Sequence, residues 1–431
     1  MDTRRFTEHP RVYHTIRKLQ EDWDDREVSD IVDGEGNQYV DLVMEGGGVL
    51  GIALLGYTYT LEQVGIRFLG VGGTSAGSIN ALLLAAVREK HHPKSETLIE
   101  ELAGKDFYDF VDGGRRVRSF IDLMLRGPRL IPGVLRFLKI RRTLWRRLGL
   151  NPGEEFHGWI TGILANHGIA DAGALMERLA SVPPGGLRRR SGEPLTAEEA
   201  ESRLALIAAE VSTETKVELP RMARLYWADP KAVNPADFVR ASMSIPGFFQ
   251  PFVVEDIPRE GALDRWRDMA GYKNRIPEAC YFIDGGVMSN FPVDIFHVPG
   301  KVPLAPTFGA KLGHDDRYHP IDGPLSLTGA IFDSARHTLD YDFILRNPDY
   351  RQLVTYIDTG DHNWLNFRLS DEEKVDLFRC GVESAATFLR TFDWEGYKKT
   401  RKHLAEAAVA AEAQRRAQPP EGGSAGEQTV P

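Results

Sequence analysis

QYVDLVMEGGGVLG at 38–51 and FLGVGGTSAG at 68–77 decide how this chain is read. Residues 38–45 are rich in β-formers and read as a buried strand, which Gly46 to Gly51 break. Helical spacing follows in Ile52-Ala53-Leu54-Leu55 and again over 61–64, and Gly65 ends it. Residues 68–71 read as a second strand, with Ser75 at its carboxyl end. The Ala/Leu-rich run over 78–87 reads as a second helix. Strand–helix–strand–helix order predicts a parallel pair joined by a crossover.

Outward from this core, regular α/β character returns with a strand over 204–211 and a helix over 238–245 stopped by Pro246. A short strand, Tyr281-Phe282-Ile283, ends at Asp284. Further strands are expected over 306–311 and 354–357, and helices over 323–345, 370–390 and 394–416. The 105–200 stretch is different. Eleven Lys/Arg and one acid fall within 115–147, interleaved with Phe120, Leu130, Phe137 and other apolar residues. Short helices broken at Pro128 and Pro132 are expected there, then helices over 159–164 and 172–179 and a Gly/Pro/Arg loop over 183–194. The expected organisation is an N-terminal arm over 1–37 and a catalytic domain over 38–390 with a basic helical insertion at about 105–200. A helix over 391–417 and a low-complexity, disordered tail over 418–431 follow.

Composition narrows the function classes. A chain of 431 residues with 42% hydrophobic content can build a sizeable core. A formal net charge of -9 argues against nucleic acid as the partner. Cys280 and Cys380 form no CxxC pattern, so neither a disulfide framework nor a structural zinc site is expected. The first 20 residues carry charge and no apolar core, unlike a signal peptide. No apolar run reaches the roughly 18 residues that span a bilayer. The expectation is a cytoplasmic protein, peripheral to a membrane when it meets lipid.

Four short blocks carry chemistry. Gly73-Thr74-Ser75-Ala76-Gly77, after a strand and before a helix, has the nucleophile-elbow pattern. The helix N-terminus behind it favours developing negative charge. A plain tight turn has the same residues. Gly46-Gly47-Gly48-Val49-Leu50-Gly51 fits a packing turn, a dinucleotide fingerprint or an oxyanion loop. The dinucleotide reading wants an acid ~20 positions on. The next strand runs into Gly70, Gly72 and Gly73 instead. One helix upstream of a serine elbow, successive bare N–H donors fit an oxyanion loop best. Asp284-Gly285-Gly286 places an acid where α/β sites form, though Asp-Gly also starts ordinary turns. Ala241-Ser242-Met243-Ser244-Ile245-Pro246 reads as a helix end and a packing corner.

These four blocks, in this order, resemble the patatin-like phospholipase family. That family carries a Gly-rich block, G-x-S-x-G about 25 residues later, A-S-x-x-x-P and D-G-[GA], matched here at 46–51, 73–77, 241–246 and 284–286. The resemblance covers roughly 38–310. It implies a three-layer α/β/α sandwich with a mostly parallel central sheet. It also implies a Ser–Asp dyad with Ser75 as nucleophile and Asp284 as base. Gly47 and Gly48 would donate to the oxyanion. Gly46, Gly51, Gly73, Gly77, Gly285 and Gly286 complete the motifs. Neither a metal nor an organic cofactor is implied. One position departs: Leu50 stands where the family usually has Arg or Lys. The ester chemistry is therefore better supported than a phospholipid preference.

The expected activity is acyl-ester hydrolysis of lipid, of the phospholipase A, lysophospholipase or esterase kind, through an acyl-enzyme. Acyl transfer on the same dyad and a catalytically silent lipid-binding protein are the alternatives. A Ser–His–Asp lipase would need a late histidine. His362 and His403 are the candidates, and His403 sits in a charged helix. The short gap between the Gly block and Ser75 disfavours that topology. His91-His92 shows no metal-ligand spacing. The basic 115–147 stretch reads as a membrane-contacting lid or as a solvated helical cap, with Arg115, Arg116, Arg141 and Arg142 its prominent charges.

Overall fold

In this computed structural model the described residues are 2–23, 26–125, 144, 146–313, 321 and 343–417. Arg141, Arg142, most of the expected 323–345 helix and the 418–431 tail lie outside them.

The first long helix, α1 (Pro10–Glu21), lies in the segment expected to be a polar arm. Its Val12, Ile16 and Leu19 are buried at helical spacing, so one stripe docks on the body although the mean composition is polar. β1 (Gln38–Met44), α2 (Gly51–Gln63), β2 (Ile66–Thr74) and α3 (Ala76–Ala86) follow as the sequence predicts. Every residue of β1 and β2 is buried, the mark of strands covered on both faces. The 105–200 stretch supplies α4 (Arg115–Leu125) and α5 (Glu154–Asn166). Then come β3 (Arg203–Glu210), α6 (Pro235–Ser242), β4 (Phe252–Val254) and β5 (Cys280–Asp284). β6 (Thr307–Leu312), β7 (Val354–Ile357), α7 (Asp371–Thr391) and α8 (Trp394–Ala417) complete the chain.

The main path through the sheet runs β7-β6-β1-β2-β3-β5-β4. The five strands from β7 to β3 pair in parallel. β5 and β4 join antiparallel at one edge. This mixed sheet with a mostly parallel core, flanked by helices, is the α/β arrangement predicted from the sequence. α2 is buried on nearly every side and α7 lies against it. The two backbones touch at glycines: a Cβ on Gly56 would meet the Phe378 carbonyl oxygen at 2.0 Å, and one on Gly381 the Ala53 carbonyl oxygen at 1.9 Å. α7 starts on a capping box in which Ser370 and Glu373 satisfy each other's backbone N–H. Among the described residues, no helix is long and apolar enough to cross a membrane.

Two elements differ from expectation in ways that shape the site. α6 stops at Ser242 rather than 245, because the chain ahead of Pro246 turns away from helical geometry. β5 runs antiparallel to β3, an exception within a sheet expected to be mostly parallel.

Candidate active site

Ser75 sits between β2 and α3 with φ 51° and ψ −118°. A non-glycine residue holds such a backbone only when its surroundings impose it. Close packing imposes it here. A Cβ on Gly77 would lie 2.1 Å from the Met44 carbonyl oxygen, and one on Gly73 2.6 Å from the Gly77 carbonyl carbon. Both flanking glycines of the elbow are thus required by backbone contact.

The Ser75 hydroxyl donates to Asp284 Oδ2 at 2.6 Å. The other oxygen, Oδ1, accepts the Gly286 N–H at 2.8 Å. That bond fixes the carboxylate plane. Serine and aspartate are both buried, at 4% and 5% exposure, so water competes little for the bond. Gly285 packs on β3, where a Cβ would come within 2.1 Å of the Ile207 carbonyl oxygen.

The glycine loop lies against the same serine. A Cβ on Gly46 would stand 3.2 Å from Ser75 Cβ. Asn290 pins the loop: its carbonyl accepts the Gly46 N–H at 3.0 Å and its Nδ2 donates to the Gly46 carbonyl at 3.2 Å. Gly48 has φ +54°, and a Cβ there would lie 2.2 Å from the Trp364 carbonyl oxygen. That same oxygen accepts the Val49 N–H at 3.0 Å. Among the described residues, no acceptor takes the N–H of Gly47, Gly48 or Ala76. Gly48, Ser75 and Ala76 line one cavity. Apart from Asn80 its remaining wall is apolar, with Ile79, Phe107, Phe156, Met243 and Phe367 among the contributors. An anion forming on a carbonyl at Ser75 would meet bare N–H donors and the positive end of α3. The chain attached to that carbonyl would meet hydrocarbon.

A sequence model described as Patatin-like phospholipase matches residues 42–297. The chain belongs to the patatin-like phospholipase family. Membership supports lipid hydrolysis as its activity. A curated relative, the uncharacterised protein YqhO of Bacillus subtilis (strain 168), is 29% identical over 362 residues, 83% of this chain and 100% of its own length. Two solved structures are looser likenesses at 17% identity. VipD from Legionella pneumophila has a TM-score of 0.39, covering 93% of this chain and 81% of its own. The ExoU–SpcU complex from the type III secretion system of Pseudomonas aeruginosa has a TM-score of 0.32, covering 88% and 60%.

Against the family's pattern, Leu50 is buried and brings no cation to the glycine loop. His362 bonds Asp376 of α7 at 3.2 Å, and His403 is exposed on α8. The A-S-x-x-x-P block does more than turn a corner. Ser242 Oγ accepts the Ser75 N–H at 2.9 Å and donates to the Ile207 carbonyl at 2.5 Å. The Ser244 carbonyl accepts the Asp284 N–H at 2.9 Å. One short segment therefore holds the backbones of both Ser75 and Asp284. Arg240, one turn earlier, braces it by donating to Ser244 Oγ and to the Gln250 and Pro152 carbonyls. Burial pushes that guanidinium down to about 10, and the Asp112 carboxylate only partly offsets the shift. The one signal of Arg240 in the sequence is a charge inside an otherwise apolar helix end.

Proposed function

We propose that this protein hydrolyses acyl esters of lipids with Ser75 and Asp284 as a catalytic dyad. The observation that carries the reading is the 2.6 Å bond from Ser75 to Asp284 at the floor of an apolar cavity. Ser75 Oγ attacks the ester carbonyl while its proton passes to Asp284 Oδ2. The tetrahedral oxyanion takes the N–H groups of Gly47 and Gly48, and the acyl chain lies along Ile79 and Phe156. Collapse breaks the bond to the leaving alcohol, which takes the proton from Asp284. Water then attacks the acyl-enzyme, giving its proton to Asp284, and the fatty acid departs as Ser75 regains a proton. The exposed Arg115, Arg116 and Arg118 of α4 suit a protein resting on an anionic lipid surface.

The test is covalent labelling by a fluorophosphonate, together with turnover of a short-chain nitrophenyl ester. Wild-type protein should label at Ser75 and turn over. Ser75→Ala should do neither, and Asp284→Asn should lose at least about a hundredfold in kcat. Turnover surviving in Ser75→Ala would remove the serine from the mechanism.

A further inference from the structure

Phe107 and Phe367 line the cavity from two different segments. Their chain neighbours, Tyr108 and Arg368, meet each other. The Arg368 guanidinium lies 4.0 Å from the centre of the Tyr108 ring, and the Arg118 guanidinium 5.6 Å from the same centre. Asp122 joins them. It accepts the Tyr108 hydroxyl at 2.8 Å, and Arg368 through Nε at 3.0 Å and Nη2 at 3.1 Å. Arg118 donates through Nε to the Val111 carbonyl at 2.7 Å and has no carboxylate partner among the described residues. Two guanidiniums thus share the Tyr108 ring, and Asp122 pairs with Arg368. The Arg368 side chain is 50% exposed, so this group meets water.

We infer that Arg368, assisted by Arg118, is the subsite for the phosphodiester of a glycerophospholipid whose acyl chain fills the cavity over Ser75. A guanidinium fork that meets two carboxylate oxygens has the geometry that meets two phosphate oxygens. Its exposed pair with Asp122 is weak enough to exchange for a ligand. Stacking on Tyr108 holds the fork in one plane before the ligand arrives. Other cations near the cavity are occupied: Lys105 pairs with Asp109, and Lys374 donates to the Lys105 carbonyl. The glycine loop offers none, because position 50 is leucine. An amphipathic lipid with its chain among Phe107, Phe156 and Phe367 would carry its phosphate to Arg368, the residue after Phe367.

The assignment rests on the lipid-ester reading above. Its test uses mixed micelles holding phosphatidylcholine or diacylglycerol with identical chains at one mole fraction. The zwitterionic head group keeps bulk attraction out of the comparison. The readout is the ratio of kcat/KM for phosphatidylcholine to that for diacylglycerol. Arg368→Gln should lower the ratio about tenfold or more, the usual effect of losing a charged hydrogen bond. Asp122→Asn, which frees Arg368, should hold or raise it. A ratio unmoved by Arg368→Gln overturns the subsite. So does an equal fall in Asp122→Asn, which would make the group a structural clasp. Millimolar inorganic phosphate separates the sources: if it inhibits diacylglycerol turnover through Arg368, the site serves free phosphate and the lipid assignment falls. Wild-type protein inert on both lipids and on a nitrophenyl ester would fail the hydrolase reading itself. Turnover with an unmoved ratio fails only the head-group subsite.

Discussion

Ser242→Ala removes one hydroxyl and touches neither Ser75 Oγ nor the Asp284 carboxylate. The Ser75 N–H then loses its acceptor, and Ile207 loses a donor on a residue with no exposed surface. A buried group left unpaired costs about 1–3 kcal/mol. The same bond opposes relaxation of a backbone at φ 51°, a conformation that stores about 1–3 kcal/mol. Part of the loss therefore appears as stability and part as a looser elbow. We expect urea unfolding to show a loss of about 2 kcal/mol. We expect kcat for a short-chain nitrophenyl ester to fall about ten- to hundredfold, since each 1.4 kcal/mol is tenfold. KM should change little, because the cavity wall is untouched. The second-order rate of fluorophosphonate labelling should fall with kcat. Ser242→Thr keeps the hydroxyl and should recover most of both rates. If Ser242→Ala loses stability but keeps kcat within twofold, the hydroxyl is merely structural and the positioning argument is wrong.

Three further outcomes follow from the same geometry. Gly48→Ala must place a Cβ within 2.2 Å of the Trp364 carbonyl oxygen at φ +54°, so the loop has to shift. Loss of one oxyanion donor predicts at least about a hundredfold lower kcat with Ser75 labelling slowed in step, and near-normal kcat would acquit the loop. Ile79→Phe narrows the cavity one turn beyond Ser75. Each methylene excluded should cost about 0.8 kcal/mol, so the preferred acyl length in a nitrophenyl ester series should shorten, and an unchanged optimum would place the chain elsewhere. Burial raises Asp41 to about 6 from its ordinary 3.8, with Arg203 opposing the shift. Between these values the folded state holds a proton that the unfolded state releases, so this group's contribution falls as pH rises from about 4 to 6 and stays low above. Asp41→Asn should then be nearly neutral at pH 4 and stabilising by about 2–3 kcal/mol at pH 8 in urea unfolding; a pH-independent difference would contradict the assignment.

The first half of the fold is legible because its signals are local. Apolar runs, glycine breaks and helical spacing place β1, α2, β2 and α3 within a few residues of where they lie. The candidate residues are legible for a related reason: bare backbone and close approach demand glycine, and glycine is visible in a sequence. Strand direction has no such signature. Nothing in Tyr281-Phe282-Ile283 says that β5 runs against β3, since direction depends on the route taken by the intervening chain. α1 was obscured by averaging, because a stripe of Val12, Ile16 and Leu19 is enough to dock a helix whose other faces are charged. Ser242 and Arg240 act through hydrogen bonds to residues up to 167 positions away, which no local pattern encodes.

The separation of Ser75 and Asp284 is set by backbone rather than by side-chain choice, and the reason lies in one peptide of β3. Ile207 pairs with Thr74, the residue before the serine, and Ala208 pairs with Asp284. The Ile207 carbonyl accepts the Ser242 hydroxyl and lies under Gly285. The three motif blocks at 73–77, 241–246 and 284–286 thus converge on a strand, RLALIAAE, that carries no motif of its own. β5 reaches this point antiparallel to β3. Its register takes Phe282 to Glu210 and Asp284 to Ala208, so the strand enters beyond the end of β2 and stops level with Ser75. A parallel strand would instead reach the level of Ser75 from the opposite end of the sheet, and its following turn would also lie at the carboxyl ends of the strands. Here the turn residue Gly286 donates its N–H to the carboxylate, so the same backbone that delivers Asp284 also orients it. In a triad the aspartate that orients the base is a separate side chain. In the proposed dyad a glycine N–H takes that task, and Asp284 bonds Ser75 directly.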